Sequence, residues 1–223
     1  MHIARIIGIT KPLELNLSSA EDLVAYTARV SNPSNQHNIL TAPKLLKYLV
    51  KNKHWSPFEM VHVLMEINTT RDIARQILRH RSFSFQEFSQ RYARGDELGF
   101  EFKEARLQDN KNRQNSIETN DWELQDLWME KQQDVVSQAC QVYDWAISNG
   151  LAKEQARAVL PEGLTMSRLY MSGTLRSWIH YCELRCDVGT QKEHRQVAFS
   201  CRDQLVEHFP SLKEFFIGEH IEQ

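Results

Sequence analysis

The sequence predicts a mixed α/β (α+β) fold, with a central, mostly antiparallel sheet packed by helices. Three observations carry that expectation. Strand-like stretches stand near the N-terminus, near residue 61 and near residue 165, with helical periods between and after them. The 223 residues are enough for one sizeable core, and no Pro/Gly/Ser tract divides them, so 1–223 reads as a single domain. No glycine-rich fingerprint follows a strand, so any dinucleotide would be held in a non-Rossmann manner.

Taken in order, Ile3, Ile6, Ile7 and Ile9 suggest a first strand closed by Lys11-Pro12. Ser18 and Glu21 have capping-box spacing, and Leu23, Val24, Ala28 and Val30 continue as a helix of about three turns, stopped by Ser31-Asn32-Pro33-Ser34. Leu45, Leu46, Leu49 and Val50 mark a second helix ending near Asn52. In His54-Trp55-Ser56-Pro57-Phe58-Glu59 the proline restricts Ser56 to an extended conformation, a fixed turn leading into a strand whose Val61, Val63, Met65 and Ile67 alternate with their neighbours. Arg71 to Arg81 reads as a helix on which Gln76 and Arg79, three apart, converge on one ligand. From Ser82 onward the expectation is irregular extended chain, whose N–H groups could form an anion nest.

Gly95 to Asn120 is polar without a period, and reads as an exposed, partly mobile insertion. A long helix runs from about Asp121 to Asn149, with Leu124, Leu127, Trp128, Val135, Ala139, Val142, Tyr143 and Ala146 on one stripe and Gly150 as its end signal. Lys153 to Leu160 is a short helix ended by Pro161, and Leu164 to Ser172 a weakly signalled strand. Thr174 can cap a helix with an apolar stripe of Leu175, Trp178, Ile179 and Cys182. A last helix spans about Thr190 to His208, and Phe209 to Ile217 closes the fold.

Charge and composition narrow the function. With 27 basic against 29 acidic residues the net charge is −2, which disfavours a general nucleic-acid binder. The N-terminus lacks a signal-peptide pattern and no apolar run spans a bilayer, so a cytoplasmic protein is expected, with no membrane partner. Cys140, Cys182, Cys186 and Cys201 fit reduced thiols. Cys182 and Cys186, with His180 or His194, lack the second pair of a zinc site, so no metal is expected.

The chemistry concentrates in Arg79 to Arg91. Arg79, Arg81 and Arg91 offer planar guanidiniums, Ser84 and Ser89 hydroxyls, and Phe83, Phe85 and Phe88 apolar anchors, a set suited to a flat anion. The same composition also describes a solvated basic face or a strip that binds single-stranded nucleic acid. The order of the residues is more specific. Arg-His-Arg followed at fixed intervals by Ser84, Ser89 and Arg91 resembles the signature of the flavin-dependent thymidylate synthases, with every fixed position filled. Further segments are similar to that family in the same order: Ala28-Arg29-Val30-Ser31, the His54 to Glu59 turn, Ala156-Arg157 to Leu160-Pro161, and Thr174 to Arg185. Two departures stand out: Thr174, where the family often has asparagine, and Gly189, where many members have histidine.

The resemblance implies reductive methylation of deoxyuridine monophosphate to thymidine monophosphate, with methylenetetrahydrofolate as carbon donor, NADPH as reductant and FAD as relay. It implies Arg185 as the catalytic electrophile against the uracil imide, and Gln76, Arg79, Glu87, Phe88, Ser89, Gln90, Arg91 and Arg157 around the nucleotide. Ser31, Ser56, Glu59, Arg79, His80, Arg81, Glu87, Thr174, Arg176 and His180 map onto flavin contacts. Ser89 has no base beside it in sequence, so it is expected to aid binding rather than act as an obligatory nucleophile. Family members are homotetramers with shared active sites, and the long helix could serve such an interface. A regulatory nucleotide binder without chemistry is the other reading.

Overall fold

The computed structural model describes residues 3–14 and 16–218. Its strands are β1 (Ile3–Ile9), β2 (His62–Thr70), β3 (Ser84–Glu87), β4 (Arg106–Gln108), β5 (Ser116–Glu118) and β6 (Met166–Thr174). Four form one sheet in the order β1-β2-β6-β3, every pair antiparallel, and β4 with β5 forms a separate hairpin. The mixed α/β expectation is met. The weakly signalled strand turns out to be central: β6 pairs with β2 along its whole length, His62 opposite Thr174 to Thr70 opposite Met166.

The helices are α1 (Ala20–Ala28), α2 (Ala42–Lys51), α3 (Arg71–Ile77), α4 (Trp122–Ser148), α5 (Lys153–Ala156), α6 (Leu175–Arg185), α7 (Lys192–His208) and α8 (Lys213–Gly218). One core holds Val63, Met65 and Ile67 of β2, Leu169 and Met171 of β6, Trp178 and Ile179 of α6, and Val197, Cys201 and Leu205 of α7. Alternation on the strands and the 3.6-residue period on the helices bring these apolar faces together. Phe209, Leu212 and Phe216 close the end as expected, while the side chain of Ile217 lies outside the described residues.

Several local expectations are corrected. The capping box of α1 is Ser19 with Asp22, one residue beyond Ser18 and Glu21; Ser18 donates to the same Asp22 carboxylate at 2.9 Å, and Glu21 instead accepts from the Ser211 N–H and hydroxyl. α1 stops at Ala28, leaving Val30 70% exposed. Ser56 does not enter an extended run: residues Ser56–Met60 form a 3₁₀ turn, because Pro57 suits a first helical turn and the buried Phe58 donates its N–H to the Trp55 carbonyl at 3.0 Å. α3 ends at Ile77 rather than Arg81, with 3₁₀-type bonds from the Arg79 and His80 N–H groups turning the chain. Arg79 to Arg81 therefore ride a turn, and the next residues form β3, whose backbone pairs with β6 instead of lining an anion nest. α7 begins at Lys192 rather than Thr190.

The polar stretch 95–120 is exposed over 110–118, as expected, but it is not irregular throughout. It carries the β4–β5 hairpin, tied to α4 by two side-chain amides that imitate strand pairing. Gln125 exchanges two hydrogen bonds with the backbone of Ala105 at 2.7 and 2.9 Å, and Gln132 does the same with Lys103 at 2.8 and 2.8 Å. One glycine is dictated by close approach: a Cβ on Gly173 would lie 2.4 Å from the Phe83 ring, which also packs edge-on against Trp178. Phe83 thus pins the start of the arginine-rich stretch to the central strand.

Candidate functional site

α6 organises the site, and its sequence explains why. Thr174 caps it by accepting from the Ser177 N–H at 3.2 Å, its stripe of Leu175, Trp178, Ile179 and Cys182 is buried, and its polar residues therefore face elsewhere at both ends.

At its C-terminal end, Arg185 meets the turn after α3. The Arg185 Nε–H donates to His80 Nε2 at 2.9 Å, so His80 accepts there and carries its own proton on Nδ1. Burial, and then the Arg185 charge, hold the His80 imidazole down at a pKa of about 4. A neutral ring thus orients the guanidinium and leaves its two terminal nitrogens for a ligand. Behind it, His80 packs against Tyr181 with ring centroids 5.0 Å apart. Tyr181 bonds the buried His194 at 3.1 Å, and His194 bonds the Gln76 side chain at 3.2 Å. The Gln76 side chain donates to Gln191 at 2.7 Å and is not paired with the side chain of Arg79, which has left the helix. Arg79 and Arg81 stand exposed on that turn, their side chains with no hydrogen bond or ion pair among the described residues.

At its N-terminal end, α6 faces the 3₁₀ turn Ser56–Met60. Arg176 forms a hydrogen-bonded ion pair with Glu59, and His180 packs edge-on against Trp55 with centroids 4.8 Å apart. Burial first, and then Arg176, lower the His180 pKa. Ser56 lines a cavity of about 390 Å³ with Tyr26, Thr27, Val30, Gln36 and Met60, and Ser31 follows Val30 on the exposed chain.

Two further groups lie along β3 and beyond it. Glu87 accepts from Ser167 at 2.9 Å and pairs with Arg75 at 3.1 Å; Arg71 and Arg75 also hold Glu162 at 3.0 and 3.2 Å. Farther on, Arg91 pairs with the Glu154 carboxylate at 3.3 Å while the Arg157 Nε–H donates to the Glu154 carbonyl at 3.3 Å. Phe88 is half-buried, its N–H on the Arg168 carbonyl. Ser89 accepts from the Arg91 N–H at 3.4 Å and has no carboxylate or imidazole bonded to it among the described residues. Gln90 is buried and donates to the Gly95 carbonyl at 3.2 Å, so its side chain staples the loop.

The structure therefore brings His80 to Arg185, Arg176 to Glu59, and both Arg91 and Arg157 to Glu154, but no hydrogen bond or ion pair among the described residues joins these groups. Sequence reasoning passed over Arg71, Glu162, Gln191 and Tyr181. The four-residue spacing of Arg71 and Arg75 was the one available signal, since it places both on one helix face. The four cysteines are free, and no group of His, Cys, Asp or Glu among the described residues could hold a metal. No helix among them is long and apolar enough to cross a membrane.

Fold and site together define a mixed α/β protein in which Arg185 is held by His80 at one end of α6 and Arg176 by Glu59 at the other. Residues 14–211 match the family model described as thymidylate synthase complementing protein. The chain is 49% identical over 209 residues to the "Probable flavin-dependent thymidylate synthase" of Paramecium bursaria Chlorella virus 1, covering 94% of this chain and 96% of that one. It is 48% identical to the flavin-dependent thymidylate synthase of Synechocystis sp., covering 93% and 96%. The fold is similar to a UMP/dUMP methylase, PolB, from Streptomyces cacaoi, with a TM-score of 0.81, 24% identity, and coverage of 98% and 95%. The chain belongs to the flavin-dependent thymidylate synthase family.

Proposed function

We propose that this chain methylates deoxyuridine monophosphate to thymidine monophosphate, with methylenetetrahydrofolate as carbon donor, NADPH as reductant and FAD as bound cofactor. The observation that carries the reading is the guanidinium of Arg185, oriented by a neutral His80. A guanidinium keeps its proton near neutrality, so against the uracil imide it acts as an electrophile, stabilising negative charge at the ring nitrogen and oxygen. That charge makes carbon five of the pyrimidine electron-rich, which is what accepting a one-carbon unit requires.

The donor set fits FAD. Arg79 and Arg81, without acidic partners, suit a pyrophosphate, and Ser56, Glu59, Thr174, Arg176 and His180 surround the N-terminal end of α6. Bound there, FAD would supply hydride chemistry that no side chain has. The chain's own residues bind and orient: Arg79 and Arg91 at the nucleotide phosphate, Gln76 and Arg157 around the nucleotide, Glu87 through its pairs with Arg71 and Arg75. Ser89 serves binding, because no base is bonded to it.

The separation of the site groups, and the open face of α4, support a homotetramer that shares its active sites. A cytoplasmic location agrees with this chemistry. The test is the visible spectrum of the purified protein, its bleaching by NADPH, and the response of that rate to deoxyuridine monophosphate. A flavin spectrum and a nucleotide-dependent change are expected. A folded, colourless protein indifferent to FAD and to the nucleotide would overturn the proposal.

A further inference from the structure

His194 on α7 is fully buried, and both of its ring nitrogens are consumed within the protein, so it has nothing left with which to touch a substrate. It nevertheless sits one hydrogen bond from Gln76, in a chain of contacts whose direction follows from one carboxylate. Glu193 only accepts, so Gln191 must turn its nitrogen toward Glu193 Oε2, at 2.9 Å. The Gln191 oxygen then faces Gln76 at 2.7 Å and must receive an N–H. Gln76 consequently presents its oxygen to His194 Nδ1 at 3.2 Å, which must carry the proton, and His194 Nε2 is left to accept from the Tyr181 hydroxyl at 3.1 Å. Reversing any single amide would set N–H against N–H or oxygen against oxygen.

We propose that His194 is a positioning residue for the nucleotide site: with Gln191 and Glu193 it locks the side-chain amide of Gln76 in one orientation, so that the pyrimidine nucleotide meets a fixed N–H and a fixed carbonyl. Gln76 keeps one hydrogen on Nε2 and one lone pair on Oε1 for that purpose. The inference rests on the assignment of Gln76 to the nucleotide.

Both ends of the chain are held in the required charge state. Burial alone would raise the Glu193 carboxyl, but donors led by Arg106, 2.5 Å away, bring it to about 2. Burial, then Arg185 and His80, hold the His194 imidazole neutral with a pKa of about 3. Arg106 lies on β4, so the polar hairpin reaches the nucleotide site through Glu193.

Two substitutions at one position separate orientation from packing. His194→Asn puts an amide N–H where Nδ1 stood and keeps the donor to Gln76; His194→Gln reaches only the Nε2 position and loses it. Titrating the flavin-loaded protein with deoxyuridine monophosphate, the Gln variant is expected to bind about tenfold more weakly, and the Asn variant within about threefold of the parent. Gln191→Ala, at an exposed position, should weaken binding by about three- to tenfold. The double variant of Gln76→Ala with His194→Gln should bind no more weakly than Gln76→Ala alone. Flavin content and bleaching by NADPH without nucleotide should persist in the single variants at His194 and Gln191.

Equal weakening by Asn and Gln, or additive losses in the double variant, would reduce His194 to a packing residue and leave the proposed activity standing. Unchanged nucleotide affinity in Gln76→Ala, in protein that still bleaches, would remove Gln76 from the site and the inference with it. Should both His194 variants fail to fold, Gln191→Ala decides alone, and unchanged affinity there would overturn the inference.

Discussion

α6 and α4 are both capped, amphipathic helices, yet one finds packing partners inside the chain along its whole stripe and the other only in places. On α6, Leu175, Trp178 and Ile179 are wholly buried, and the Trp178 indole N–H donates to the Val63 carbonyl at 3.0 Å. On α4, burial is confined to Gln132, Ala139, Tyr143 and Ala146, while Leu127, Val135 and Trp145 are 51, 53 and 61% exposed. A hydrophobic period therefore specifies a helix and a face, but not what will cover that face. In this chain the covered helix carries Arg185, and the uncovered one supports the proposal of a multi-subunit enzyme.

The largest effect that would break the contrast lies at the two tryptophans. Trp178→Ala should cost about 3–5 kcal/mol in denaturant unfolding, as large-to-small changes in filled cores do. Trp145→Ala should leave that midpoint nearly unchanged in dilute protein and act instead on the assembly mass in sedimentation. Equal losses of chain stability at both positions would erase the distinction.

Next comes the end of α6. Arg185→Gln should lower turnover by about 10²–10³-fold, the range for removing a donor aimed at developing charge, with the melting temperature little changed. A comparable loss of stability would assign Arg185 to the fold instead.

The histidines sharpen the comparison further, since both pack near α6. His80 and His194 titrate near 4 and 3 in the folded chain against an ordinary 6.5. The unfolded chain therefore binds more protons as pH falls below about 6.5, and stability should decline from there toward about 3. Above 6.5 this contribution is fully present and flat. Denaturant midpoints at pH 7.5 and pH 5 check the sign, and His194→Asn should flatten the slope.

The smallest expected effects are at the caps. Thr174→Ala should remove about 1 kcal/mol from the chain, whereas Asp121→Ala should fray the first turns of α4, which pack on little, with a smaller change in the global midpoint. Helical content by circular dichroism beside the melting curve tells the two apart.

Where sequence pattern and environment coincide, the fold was legible. The Thr174 cap, the α6 stripe and the Val63-Met65-Ile67 alternation all read correctly, because each is set by local period and by burial in the same chain. The hairpin in 95–120 was not legible, since glutamine amides seven residues apart on α4 hold it and no apolar period announces that. β3 was hidden for a related reason: its strand conformation comes from pairing with β6, which is settled far away in sequence. At the site, the residue types and the family resemblance pointed to His80 and Arg185, but not to their contact across 105 positions. Nor could spacing reveal that Gln76 answers to His194 and Gln191 rather than to Arg79.

The length of α6 has a consequence of its own. Arg176 and Arg185 occupy the two ends of an eleven-residue helix, so its rise sets them about 14 Å apart along the axis. Inserting or deleting a single residue between them would swing Arg185 about 100° around that axis, away from His80, even if every side chain were kept. The segment acts as a molecular spacer, and drift among relatives should spare its residue count more strictly than the identity of most of its members.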